Sequence, residues 1–100
     1  MKDQRKLLNT CLQDMIPAVV FQGTDSCAVE ILQAAKNIYE KKGCSPEFLY
    51  DWQLLINEVI AYQEECPQAV KLPKLSLGEI EDIREDMNDK LIEEENNEIL

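Results

Sequence analysis

The chain has 100 residues, 45% of them apolar and 30% charged, with a formal net charge of −10, which is enough apolar material for one modest core and a globular rather than disordered balance. The acidity excludes duplex DNA, RNA and anionic lipid as direct ligands, because each is held by neutralising phosphate with Lys and Arg. The chain contains no histidine, which removes the commonest general base, the Ser or Cys triads and most transition-metal sites.

Residues that lose little on entering a helix (Leu, Ile, Glu, Lys, Gln, Ala) dominate, and glycine occurs only three times, so the expected fold class is all-α. Residues 2–16 place Leu7, Leu8, Cys11, Leu12 and Met15 on one helical face, and Pro17 ends or kinks that helix. The run Ala18-Val19-Val20-Phe21 is expected to be a buried connector or a helical continuation. No second strand is available to pair with it.

Gln22 to Ser26 carries turn and N-cap chemistry, and a second helix is predicted over 25–42 from Cys27, Ala28, Ile31, Leu32, Ala35, Ile38 and Tyr39. Lys41 and Lys42 suit its negative dipole end, and Gly43 supplies the stop. Ser45, Pro46 and Glu47 then open a third helix over 46–66: serine caps, proline takes the position whose N–H is unused, and glutamate faces the positive end. Its stripe of Phe48, Trp52, Leu55, Ile56, Val59, Ile60 and Tyr62 is the most apolar in the chain, so this helix should centre the core. An aromatic group of Phe48, Trp52 and Tyr62 at helical spacing is expected to be core rather than a ligand site.

Residues 67–75, with prolines at 67 and 73, read as an extended linker. Ser76-Leu77-Gly78-Glu79 is a capping box, with Leu75 and Ile80 placed as its hydrophobic staple. A fourth helix follows over 77–94, with Leu77, Ile80, Ile83, Met87 and Leu91 on a narrow face and residues 95–100 fraying. The expected whole is a single domain in a small four-helix arrangement: three packed antiparallel helices, and a tethered acidic C-terminal helix.

Helix rise keeps Cys27 from Cys44 by ~25 Å and Cys44 from Cys66 by ~30 Å, too far to bridge, whereas Cys27 and Cys66 could approach if the second and third helices are antiparallel. No C-x-x-C spacing occurs, and Cys11, Cys27 and Cys66 lie on or near apolar faces, so four free thiols are expected. No apolar run approaches ~20 residues. The basic start lacks a hydrophobic signal region, so the expected compartment is the cytoplasm.

Other chemistries fail on spacing. Gly23, Gly43 and Gly78 are isolated, so there is no phosphate loop. Asp86 to Lys90 fails as a calcium loop, since Lys90 stands where an oxygen ligand is needed and Leu91 where glycine is required. Glu79 and Asp82 form an acidic pair three apart, of the kind helical nucleotide pyrophosphatases use in twos to hold magnesium. Glu47, Asp51 and Glu58 on the third helix do not supply the matching pair. No catalytic residue, metal site or cofactor is therefore expected, and magnesium-dependent pyrophosphatase chemistry is kept only as a remote alternative.

Charge by segment is uneven. Residues 1–23 carry +1, 24–43 carry 0, 44–66 carry −5, 67–75 carry +2 and 76–100 carry −8. The last helix holds acids even at its C-terminal end, where the helix dipole disfavours them. Two functions fit. One is a non-enzymatic adaptor or regulator that presents Glu79, Asp82, Asp86, Asp89 and Glu93, with Leu77, Ile80 and Met87, to a protein partner, a basic one or a second copy of the chain. The other is an acidic mimic of nucleic acid that blocks a DNA- or RNA-binding protein.

Overall fold

The computed structural model describes the backbone of residues 1–99 and the side chains of residues 1–91. It contains four α-helices, α1 (Gln4–Gln13), α2 (Ala28–Lys41), α3 (Pro46–Glu65) and α4 (Leu77–Ile99), with a single 3-10 turn at Pro67–Ala69. The four-helix, all-α expectation holds. Its packing is looser than expected, because α2 and α3 are the helix pair whose backbones pack closely.

That hairpin is antiparallel and has explicit causes. Ser45 Oγ accepts the Phe48 N–H at 3.1 Å and Pro46 occupies the first turn, a cap worth about 1 kcal/mol. At the C-terminus of α2, Gly43 adopts φ 89°. The Cys44 N–H then reaches the Tyr39 carbonyl and the Gly43 N–H reaches that of Glu40, which closes the last turn as a Schellman motif. Across the hairpin, Trp52 Nε1 donates to the Leu32 carbonyl at 2.7 Å and Lys36 Nζ to Gln53 Oε1 at 2.7 Å. Tyr39 stands edge-on to both Phe48 and Trp52, each 5.0 Å away between centroids. The aromatic cluster is therefore Tyr39, Phe48 and Trp52. Tyr62 lies elsewhere, its ring 3.2 Å from where a Cβ on Gly23 would sit.

The core is very small: among the described residues only Ala28, Leu32 and Ile56 are fully buried. α1 does not join it closely. The helix starts with the Asp3 side chain capping the Lys6 N–H at 2.9 Å and stops at Gln13, short of the expected Ile16. Met15 takes the left-handed conformation (φ 57°), and the Ile16 N–H turns back to the Cys11 carbonyl at 2.9 Å. The helix thus ends in a Schellman turn with methionine where glycine is usual, before Pro17 acts. Leu8 and Cys11 are half-buried, while Leu12 and Met15 are exposed. The expected buried connector is also corrected: Val19 and Val20 are 80% and 68% exposed, because no element lies over them.

The loop before α2 and the segment after α3 are joined. The Lys71 N–H donates to the Thr24 carbonyl and the Ser26 N–H to the Lys71 carbonyl, both at 2.9 Å, as an isolated parallel bridge. The Gln63 side-chain amide donates to the carbonyls of Gly23 (3.1 Å) and Asp25 (2.9 Å). Asp25 Oδ1 accepts the Cys27 N–H at 2.8 Å, and these commitments hold residues 25–27 out of the helix that was expected to include them. The expected linker 67–75 is accordingly a turn and a pinned strap, and only the residues after Lys71 run free to α4.

Candidate functional site

α4 begins with half of the expected capping box, because the Glu79 carboxylate takes the Ser76 hydroxyl and not the Ser76 backbone N–H. Ser76 Oγ accepts the Glu79 N–H at 3.3 Å and donates to Glu79 Oε1 at 2.7 Å. From there the helix runs clear of the chain: among the described residues it packs against no other element. The radius of gyration is 18.7 Å, against about 13 Å for a compact chain of this length, and an unpacked helix accounts for the excess. Backbone helicity passes the expected end at Glu94 and reaches Ile99.

The helix shows two faces. Leu77, Ile83, Met87 and Leu91 are 81%, 44%, 58% and 56% exposed, with Ile80 half-buried. At about 100° per residue these five share an arc of ~120°. The exposed carboxylates of Glu79 and Asp86 adjoin that arc beside Ile83, and those of Asp82 and Asp89 lie opposite it. Glu79 is engaged by the Ser76 cap, and Asp86 pairs with Lys90 at 3.6 Å, an exposed pair of little energetic weight. Asp82 and Asp89 have no ion-pair partner among the described residues. The Glu93 side chain lies outside the described residues. The expected site residues therefore share one helix, sorted onto an apolar face and an acidic face.

A second surface was not anticipated from the sequence. Between α1, the connector 17–21 and the α2–α3 hairpin lies an open cleft of about 660 Å³, lined by Leu7, Leu8, Cys11, Val19, Val20, Phe21, Leu55 and Val59, with Trp52 and Tyr39 at its floor. Lys2 and Arg5 also line it, and no carboxylate does. Lys2 is held there by its amide, which donates to Asp51 Oδ1 at 3.0 Å, and by its ammonium, 5.5 Å from the Phe48 ring centroid. The apolar periodicity of α1 and the run 18–21 pointed to burial. What sequence periodicity does not encode is whether the chain itself provides a cover.

The four cysteines are free and half-buried. Among the described residues no three His, Cys, Asp or Glu side chains converge as metal ligands, and no helix is long and apolar enough to cross a membrane. Compared with family models, curated proteins and solved structures, the chain matches none of them.

Proposed function

We propose that the protein is a non-enzymatic interaction module of the cytoplasm, a small adaptor or regulator that offers α4 to a basic protein partner. The observation that carries this reading is the state of α4: a capped amphipathic helix that exposes both its apolar stripe and its carboxylates and, among the described residues, packs against no other element. An isolated helix gains most of its stability from packing an amphipathic face, so α4 is completed by another molecule. Four free thiols suit a reducing compartment.

The test compares the full chain with a variant carrying Asp82→Asn, Asp86→Asn and Asp89→Asn. Proteins retained by the immobilised chain are identified, and their affinities measured at low and high ionic strength. The expected partner is basic, is lost on the triple variant, and binds at least about tenfold more weakly at high salt. Retention of the same proteins by both chains would refute the reading. Displacement of the partner by duplex DNA or by RNA would instead favour mimicry of nucleic acid.

A further inference from the structure

We propose that the apolar cleft receives α4 from a second copy of this chain, so that two copies exchange their C-terminal helices reciprocally. The inference rests on α4 being a docking helix. It assigns the apolar stripe to a second copy and leaves the carboxylate face for the basic partner.

Three observations converge. First, each copy carries two unfinished apolar surfaces, a stripe without a groove and a groove without a cover. Only three described residues are fully buried in a chain that is 45% apolar. A chain in that state resembles half of an obligate dimer, whose interface looks like a domain core cut in two. Second, the charges match. Lys2 and Arg5 line the cleft without a carboxylate among its walls, while residues 76–100 carry −8. A helix seated by its apolar stripe would bring the acids that border it, Glu79 beside Ile83 and Glu81 beside Leu77, to that basic wall and leave Asp82 and Asp89 facing outward. Third, the strap bounds how far from the fold α4 can start. Lys71 is pinned to Thr24 and Ser26, immediately after the connector that walls the cleft. From Lys71 to Leu77 the chain spans at most ~20 Å, so α4 starts within reach of the fold that carries the cleft. Two copies that each donate α4 to the other's cleft use the same two surfaces twice, which closes after two copies.

The experiment is sedimentation of the full chain across the micromolar range, with Met87→Glu on the stripe and Val20→Glu on the cleft wall. Both sites are more than half exposed, so neither change threatens the α2–α3 core, and circular dichroism verifies this. The expected result is a dimer for the natural chain and a monomer for each variant. Mixing the two variants should restore a dimer, because the Val20→Glu copy still donates an intact α4 to the intact cleft of the Met87→Glu copy. A natural chain that stays monomeric overturns the proposal. So does a dimer indifferent to Val20→Glu, which would point to pairing between two α4 helices. Retention of the same proteins by the triple variant in the preceding test, with the dimer intact, would refute the functional reading and leave the exchange standing.

Discussion

Replacing Gln63 with methionine tests the clamp between α3 and the loop to which Lys71 is pinned. Methionine keeps the length and unbranched shape of glutamine and removes only the amide. Two hydrogen bonds go, to the Gly23 carbonyl at 3.1 Å and to the Asp25 carbonyl at 2.9 Å. The Asp25 carbonyl keeps the Ala28 N–H at 3.1 Å, so its loss is partial. At about 1 kcal/mol net for each part-buried neutral bond, the expected destabilisation is about 2 kcal/mol. With a urea dependence of 1–3 kcal/mol/M for a small domain, the unfolding midpoint should fall by roughly 1 M. Gln63→Glu should cost more, since a carboxylate would face two carbonyl oxygens with no proton to offer. The assay is urea unfolding followed by circular dichroism and by Trp52 fluorescence. A Gln63→Met midpoint unchanged from the natural chain, or a Gln63→Glu chain as stable as the methionine variant, would refute the clamp.

Three further outcomes follow from backbone and packing geometry. At Gly43, φ is 89° and a Cβ would meet no atom within 4 Å, so Gly43→Ala should cost about 1–2 kcal/mol from conformation alone, read by thermal unfolding. Met15 holds the same conformation with a side chain that is 90% exposed. Met15→Gly should therefore stabilise α1 by roughly 0.5–1 kcal/mol after the greater freedom of unfolded glycine is counted, seen as added helicity. Trp52→Phe keeps an aromatic ring against Tyr39 but loses the bond to the Leu32 carbonyl, and should lower stability by about 1 kcal/mol or somewhat more, measured by urea unfolding.

Local chemistry made most of the elements legible. Ser45-Pro46, Gly43 and Ser76 act within a turn of where they stand, and the structure uses them as the residues imply, while Glu79 bonds the Ser76 hydroxyl and not its N–H. Two features escaped for a physical reason. The bridge between Lys71 and the residues flanking Asp25 is made by backbone groups distant in sequence, which any residue type can supply. The turn at Met15 depends on a left-handed conformation that methionine rarely adopts, so the residue itself gives no sign of it. For α1 and the connector, apolar residues at Leu7, Val19, Val20 and Phe21 signalled a need for burial. Among the described residues nothing covers them, and the cleft stays open.

The central claim is that α4 is built to dock elsewhere rather than to complete its own chain. Amide hydrogen exchange on dilute, monomeric protein tests it most directly, comparing residues 77–91 with Leu32 and Ile56 in the core. With no tertiary cover, α4 amides should exchange through local opening, far faster than core amides that await global unfolding, and should gain protection as the protein is concentrated or bound. Protection of α4 in the dilute monomer equal to that of Ile56 would contradict the account.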